Sequence, residues 1–125
     1  MNKKAGHIGW FDLTVENAEE VKDFYAKVVG WEPQPVSMGD YNDYNMTLDG
    51  EPKTGICHKK GPNAHIPSQW MLYINVENID ESTKAVASNG GQLLTEVKHM
   101  PGYGKYCFIK DPAGAVFALF EHEEQ

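Results

Sequence analysis

The feature that most constrains the fold is a strand-helix unit that occurs twice. Residues 7–31 alternate apolar and polar side chains and then place apolar residues three and four positions apart, which predicts a strand followed by a helix. The tripeptide Val-Glu-Asn ends this strand at residues 15–17 and recurs at residues 76–78, 61 positions later. A glycine ends each predicted helix, at Gly30 and Gly90. We therefore interpret the chain as two modules related by an internal duplication.

Each module is predicted to follow the order β-α-β-β-β. In the first module Asn17 is expected to cap the helix together with Glu20, and Asp49-Gly50 is expected to turn a hairpin. Its later strands are predicted at residues 31–37, 44–48 and 53–58, the first of them an edge strand interrupted by proline. In the second module we expect strands at 69–76, 92–98, 106–109 and 115–121, a helix at 79–89 and an exposed loop at 99–105. The modules then cover about residues 7–58 and 69–121 of one domain (1–125), joined by a connection at 59–68.

Composition limits the classes of partner. The net charge is −7 and the pI is near 5.1, which argues against nucleic acid or an anionic membrane surface, because both need clustered Lys and Arg. No apolar run approaches the roughly 20 residues of a transmembrane span, and no apolar signal segment precedes the first strand. These features favour a cytoplasmic protein. Cys57 and Cys107 are isolated, so we interpret them as small buried hydrophobic residues.

Several local motifs together resemble those of a known superfamily. Phe24-Tyr25 lies inside the first helix, Gly30-Trp31 closes it, Gly90-Gly91 closes the second, and the turn Asp-Pro-Ala-Gly at 111–114 leads into an apolar strand. Over essentially the whole chain this pattern resembles the vicinal oxygen chelate superfamily, which includes glyoxalase I, bleomycin-resistance proteins and extradiol dioxygenases. The resemblance implies an α+β fold in which two βαβββ modules curl their mixed sheets into a cup, with the helices on the outer face.

The resemblance also implies where a metal would be held. Metal-dependent members place one ligand on the first and one on the last strand of each module, and these positions correspond here to Trp10, Ile56, Met71 and Ala118. None of these side chains supplies an imidazole nitrogen or a carboxylate oxygen. We therefore expect no metal site and no cofactor.

Three polar side chains are candidate catalytic residues. The same alignment puts His58 level with Asp12, where the carboxylate can orient the imidazole as a general base or the pair can hold a polar ligand. Tyr73, the duplicate of Asp12, is expected to face the same cup and to donate a hydrogen bond. Alternatively, Asp12 and His58 are a buried pair that satisfies itself, and Tyr73 is a core aromatic residue. His122, in the predicted tail, is expected to be solvated.

The other side chains expected in the cup are aromatic or apolar, which is typical of a pocket for an organic ligand and equally typical of ordinary sheet packing. The predicted ligand-binding set is Trp10, Ile56, Met71, Tyr106, Ala118 and Phe120, with Tyr44, Met46 and Phe108 as further candidates.

The sequence therefore supports two classes of function. The leading prediction is a protein that binds a small organic molecule without a catalytic metal. The alternative is an enzyme of the same superfamily, either a metal-dependent lyase or dioxygenase with atypical ligands or a cofactor-free isomerase or hydrolase that uses Asp12 and His58. A homodimer is also expected, because members of the family commonly dimerise and Trp31, Tyr41 and Trp70 near strand ends can cover an interface.

Overall fold

The computed structural model of the chain describes residues 5–123, apart from the side chain of Pro62. The described residues divide into two compact units, Trp10–Trp70 and residues 71–123 together with residues 5–9. We refer to them as module 1 and module 2. Each contains one α-helix and a mixed sheet, which confirms the predicted α+β class. Neither helix in the described part of the chain is long and apolar enough to cross a membrane.

Module 1 follows the predicted order of elements. These are β1 (Ile8–Val15), α1 (Ala18–Val29), β2 (Glu32–Ser37), β3 (Asn42–Leu48) and β4 (Glu51–His58). The strand order is β2-β3-β4-β1, with β1 and β4 parallel and the other neighbours antiparallel. The proline-containing β2 lies at the edge, as expected. Asp49 and Gly50 both have positive φ, 53° and 79°, which suits the tight hairpin between β3 and β4.

Helix α1 ends as the sequence predicts but begins differently. Gly30 is left-handed, with φ 90°, and its N–H donates to the carbonyl of Ala26. At the other end the Asn17 side chain makes no bond to the helix backbone and instead donates to Glu20 Oε1 at 2.8 Å. The predicted reciprocal cap is thus replaced by a pairing of the two side chains.

One face of the module 1 sheet packs on α1 and forms the core. Its buried members are Leu13, Val15, Ala18, Tyr44, Met46 and Ile56. Tyr44, Met46 and Ile56 were expected in the cup, and the structure places them in the helix-facing core instead. Beside this core Tyr25 stacks on Trp31 at 5.9 Å and accepts a hydrogen bond from the indole of Trp70 at 2.9 Å. Trp31 and Trp70, which were predicted to cover an interface, therefore pack within module 1.

The register of β1 against β4 explains this correction. The sequence pattern predicts Ile56 level with Trp10 and His58 level with Asp12, whereas the structure pairs Asp12 with Gly55 and Val15 with His58. Because side chains alternate between the two faces of a strand, Ile56 and His58 lie on the face that packs against α1. The expected placement of Asp12 beside His58 is therefore wrong.

Module 2 contains β5 (Trp70–Asn75, whose first residue belongs to module 1), α2 (Ile79–Ser88), β6 (Gln92–Leu93), β7 (Lys98–Met100), β8 (Gly104–Lys110) and β9 (Val116–His122). The order is β5-β9-β8, and both β6 and β7 pair with the far side of β8. The strand predicted at 92–98 is thus two short strands, because the Thr95 hydroxyl accepts the Phe108 N–H and interrupts the ladder. The loop predicted at 99–105 is shorter than expected, since β7 and β8 form a hairpin around residues 101–103.

Helix α2 is fixed to its sheet by two side-chain caps and an apolar core. Asn78 Oδ1 accepts the Glu81 N–H at 3.1 Å, and Glu121 Oε1 accepts the Ile79 N–H at 2.8 Å. Ile79 is fully buried with Cys107, Ile109 and Leu119. Burial raises the pKa of Cys107 to about 11, so this thiol is a neutral core group, as predicted.

The first turn of α1 is fastened to β3 by a charge-assisted contact. The Tyr44 hydroxyl lies 2.8 and 2.7 Å from the two carboxylate oxygens of Glu19 and donates to them. This bond is the main reason that the pKa of Glu19 is lowered and that the pKa of Tyr44 is raised. Lys22 lies over the Tyr44 ring at 4.9 Å and 3.5 Å from Glu19 Oε1.

We predict that Gly55→Ala destabilises the protein by about 1–3 kcal/mol, the usual cost of overpacking. A Cβ at this position would overlap Oδ1 of Asp12, which lies across the Gly55 backbone, and would push the carboxylate away from its indole partner. Urea denaturation of Gly55→Ala, of Asp12→Ala and of the double variant gives the coupling free energy. Additive costs of the two substitutions would show that Asp12 does not lie over Gly55.

We predict that Tyr44→Phe lowers the free energy of unfolding by a constant amount between about pH 5 and pH 9. Because the pKa of Tyr44 is raised on folding, its contribution is present below its unfolded value of 10.0 and is lost as pH rises through the higher folded value. The lowered pKa of Glu19 gives a contribution that is present above 4.5 and lost as pH falls through the lower folded value. Urea titrations across pH test this, with the exposed Tyr103→Phe as control.

Candidate functional site

The candidate site lies on the sheet face opposite the helix, which we call the distal face of each module. In module 2 the ladder pairs Tyr73 with Ala118, and Ala118 with Phe108, while Phe120 pairs with Tyr106. The distal face of module 2 consists of Met71, Tyr73, Asn75, Tyr106, Phe108, Ala118, Phe120 and His122. The structure thus brings Met71, Tyr73, Tyr106, Ala118 and Phe120 onto one surface, and their role in binding stays a prediction.

This face is predominantly aromatic. The Phe108 ring makes edge-to-face contacts with Tyr73 at 6.1 Å and with Tyr106 at 5.8 Å between ring centres. Met71, Tyr106, Phe108 and Ala118 are buried, whereas Tyr73 and Phe120 are half-buried. The buried members form a packed base, so Tyr73 and Phe120 are the aromatic side chains that a ligand can reach.

Two polar residues at one end of this face are not predicted from the sequence. Strand β9 continues to His122, whose Nε2 lies 3.2 Å from Oδ1 of the buried Asn75. The Phe120 ring packs against the imidazole at 4.9 Å. The sequence pattern predicts a solvated tail at His122 because it ends the last strand one residue too early. Its spacing of two from Phe120 was the signal that could have placed it on this face.

The distal face of module 1 is different in character. Trp10 donates its indole N–H to Asp12 Oδ1 at 2.7 Å, and Gly55 and Cys57 follow alongside on β4. Burial raises the pKa of the Cys57 thiol well above its usual range, and the negative charges of Asp12 and Asp43 raise it further. Cys57 is therefore a protonated thiol at neutral pH and lacks the thiolate that a nucleophile needs.

His58 has carboxylate partners other than the one predicted. Its Nδ1 lies 3.3 Å from Asp43 Oδ1, and the same oxygen accepts the His58 backbone N–H at 2.8 Å. Its Nε2 lies 3.8 Å from Glu19 Oε2 in α1, and Tyr41 packs against the ring at 5.1 Å. His58 thus belongs to the contacts that join α1, β3 and β4, and Asp12 lies on the opposite face of the sheet.

The residues of this chain do not fit the metal ion that metal-dependent vicinal oxygen chelate proteins bind. Asp12 on β1 pairs with Gly55 on β4, and its counterpart Tyr73 on β5 pairs with Ala118 on β9. Gly55 is therefore the counterpart of Ala118. The ligand position that the sequence assigns to Ile56 thus belongs to Gly55. Trp10, Gly55, Met71 and Ala118 offer no nitrogen or oxygen donor suited to Zn²⁺, Ni²⁺, Mn²⁺ or Fe²⁺. Within residues 5–123 there is also no cluster of three or more His, Cys, Asp or Glu arranged to hold a metal ion.

A small open cavity lies at the other side of module 2. It has a volume of about 120 Å³ and is lined by His99, Gly104, Lys105, Glu121 and Glu123. His99 Nε2 and Glu123 Oε1 are 3.0 Å apart, and Glu123 also accepts the Gly102 N–H at 3.1 Å. Organic ligands usually occupy about 300–1,000 Å³, so this cavity is not the candidate ligand site.

Known proteins share this sequence pattern and fold. A putative glyoxylase of Mycobacterium bovis, CFP32, is 25% identical over 122 residues, covering 98% of this chain and 46% of the relative. The anthracycline biosynthesis protein DnrV of Streptomyces peucetius is 28% identical over 130 residues, covering 92% of this chain and 46% of the relative. The chain therefore spans about half the length of these two relatives.

A solved structure and a family model extend this comparison. The crystal structure of a glyoxalase/bleomycin resistance protein/dioxygenase superfamily member from Vibrio splendidus has a TM-score of 0.59 at 20% identity, covering 90% of this chain and 96% of that one. At this identity the likeness shows the fold. The model of the Glyoxalase/Bleomycin resistance protein/Dioxygenase superfamily matches residues 6–119. The resemblance inferred from the sequence is thus confirmed, and the chain belongs to the glyoxalase/bleomycin resistance protein/dioxygenase superfamily.

Proposed function

We propose that this chain binds a small, partly aromatic organic molecule on the distal face of module 2. The observation that carries the proposal is the composition of that face, which combines packed aromatic and thioether side chains with a hydrogen-bonded Asn75–His122 pair at one end. Apolar surface with a few placed polar groups is the usual character of an organic-ligand site. Tyr73 and Phe120 are the half-buried aromatic residues that would contact the ligand.

Magnitudes indicate that apolar contact alone is not enough. A ligand ring that buries about 150 Å² of apolar surface gains roughly 4 kcal/mol at 25 cal/mol per Å². Association costs about 4–15 kcal/mol in lost translational and rotational freedom. A stable complex on this face therefore needs directed polar contacts as well, and Asn75 and His122 lie where such contacts would be made.

An enzymatic function has less support from the same geometry. The metal-dependent alternative needs donors that Trp10, Gly55, Met71 and Ala118 do not have. The cofactor-free alternative needs Asp12 beside His58, and β1 and β4 hold these side chains on opposite faces of the sheet. Binding is accordingly the function we propose. The homodimer expected from the sequence stays a prediction.

We predict that Phe120→Ser weakens binding of 2-hydroxyanthraquinone about tenfold or more, which corresponds to at least about 1.4 kcal/mol. The probe is a flat fused-ring molecule with one hydroxyl group, which suits an aromatic face with polar residues at one end, and the S. peucetius relative is named for anthracycline biosynthesis. Removing the Phe120 ring deletes an aromatic contact on the distal face of module 2. Isothermal titration calorimetry measures the dissociation constants of wild type and variant.

Phe24→Ser is the matched control, because Phe24 is 56% exposed on α1 and lies on neither distal face. It should bind the probe as wild type does. Absence of binding by wild type, or an equal loss in Phe24→Ser, would count against the proposed site. Native mass spectrometry of freshly purified protein provides a second readout, namely a co-purified small molecule that leaves on collisional activation.

We also predict that no divalent metal is retained stoichiometrically. A metal ion beside Trp10, Gly55, Met71 and Ala118 would lose hydration water without gaining protein ligands. Protein purified without a His-tag is loaded in turn with Zn²⁺, Ni²⁺, Mn²⁺ and Fe²⁺, dialysed, and analysed for metal per chain. The expected content is far below one ion per chain. Near-stoichiometric retention that disappears in His58→Ala would restore the metalloenzyme alternative.

A further inference from the structure

Helix α1 carries an exposed apolar pair on its outward side. Phe24 is 56% exposed and Val28 is 65% exposed, and their spacing of four makes them neighbours on the helix surface. Three charged residues, Glu20, Asp23 and Lys27, are exposed on the same side of the helix. We call these five residues the α1 face. It combines a contiguous apolar centre with charges of both signs, which is the usual character of a protein–protein contact.

The fold itself does not require this apolar pair. When the glycines that end the two helices are aligned, Phe24 corresponds to Lys84 of α2 and Val28 corresponds to Ser88. Both α2 residues are exposed, and the large apolar side chains of α2 are buried or half-buried. The same strand-helix unit is thus built with a polar outward side in module 2. The apolar pair of α1 therefore calls for an explanation outside the packing of module 1.

The Phe24 ring is held in place by the aromatic residues beside it. It contacts Tyr25 edge to face, with 5.2 Å between ring centres and 85° between the planes. Tyr25 is itself stacked on Trp31 and hydrogen-bonded to Trp70. An aromatic side chain that is already oriented loses little conformational entropy when a partner covers it. Phe24 thus has the properties of a residue that contributes strongly to an interface.

The order of charges along α1 indicates which partner fits. Glu20 lies four residues before Phe24, and Lys27 lies three residues after it. If a second α1 runs antiparallel across a two-fold axis near Phe24, Glu20 of each copy comes level with Lys27 of the other to within about 1.5 Å along the helix. A parallel arrangement would place like charges opposite each other. The α1 face is therefore complementary to itself in the antiparallel orientation.

The contacts that the acidic residues make within the chain are compatible with this pairing. Asp23 lies 2.9 Å from the ammonium group of Lys22, whose charge offsets its own. Glu20 accepts a hydrogen bond from the neutral carboxamide of Asn17 at 2.8 Å, so this contact leaves the Glu20 charge in place. Glu20 is accordingly the carboxylate that attracts Lys27 of the other copy.

We propose that the α1 face binds the α1 face of a second copy of this chain, antiparallel about a two-fold axis, with Phe24 and Val28 at the centre and Glu20–Lys27 pairs at both ends. Helix α1 contributes to neither distal face. The proposal therefore goes beyond the proposed function and does not depend on it.

The size of the face sets the strength of the association. A helix of 12 residues is about 18 Å long and about 10–12 Å wide with its side chains. Such a face is far smaller than the roughly 800 Å² per partner of a standard stable interface. The dimer is therefore weak, and we expect a dissociation constant of about 10 µM to 1 mM.

The first experiment measures association of the full chain. Sedimentation equilibrium from about 10 µM to 1 mM should show the average mass rising from 14.0 kDa towards twice that value. Phe24→Lys should weaken association at least tenfold, because it places a charge at the centre of the contact. Met38→Lys is the matched control: Met38 is 48% exposed and lies outside α1, so this variant should associate as wild type does. Urea denaturation checks that both variants are folded.

The second experiment tests the antiparallel geometry by charge reversal. Glu20→Lys and Lys27→Glu should each weaken association about threefold to tenfold at low salt, because the two-fold axis makes every pair occur twice. The double variant should regain most of the wild-type affinity, since each pair then has its charges exchanged. Lys84→Glu, at the position in α2 that corresponds to Phe24, should leave association unchanged.

Amide ¹H–¹⁵N spectra of wild type locate the contact directly. Signals of residues 20–28 should shift with protein concentration, and those of residues 80–88 should not. A wild-type protein that stays monomeric at about 1 mM, or equal association of Phe24→Lys and wild type, would overturn the proposal. A double charge variant that associates no better than the single variants would also overturn it, because the helices would then not lie antiparallel. None of these results bears on ligand binding at the distal face of module 2.

Discussion

The parallel pairing of the first and last strand in each module is the constraint on which the rest of the structure depends. In module 1 it sets Asp12 beside Gly55, and in module 2 it sets Tyr73 beside Ala118. Once one pair is fixed, the alternation of side chains decides which residues pack on the helix and which form the distal face. A slip of a single residue would exchange the two sets, so this pairing determines both the core and the candidate site.

The same constraint shows which parts of the fold could be predicted from sequence. The end of α1 at Gly30, the Asp49-Gly50 hairpin and the turn at Asp111 depend on local backbone chemistry, and the structure agrees with all three. At the turn, the Asp111 side chain accepts the N–H groups of Ala113 and Ala115. The register of β4 depends on a contact with β1 that is distant in sequence. Gly55 contributes no side chain to the alternating pattern, and Thr54, Ile56 and Cys57 are each compatible with either face of the sheet. The sequence of β4 therefore does not show which of its residues face the helix.

The candidate site was only partly predictable for a related reason. The aromatic residues of module 2 were placed together because the Asp-Pro-x-Gly turn fixes the phase of β9, and that phase proved correct for Ala118 and Phe120. Asn75 and His122 were missed because they lie at strand ends, where the extent of pairing is decided by tertiary contacts rather than by propensity. The interruption between β6 and β7 was missed similarly, since it requires the Thr95 hydroxyl to replace a backbone acceptor.

The two modules share one design of core but differ in their distal faces. Both cores pack apolar strand residues against an amphipathic helix that follows the first strand. The distal face of module 1 carries Trp10, Asp12 and Cys57, and burial keeps the thiol in the neutral form, together with the negative charges of Asp12 and Asp43. The distal face of module 2 carries aromatic rings, with His122 beside Asn75 and Phe120 at one end. Because alternate positions on a strand change independently of the core, the fold leaves the chemistry of a distal face open, and function follows from the side chains found there.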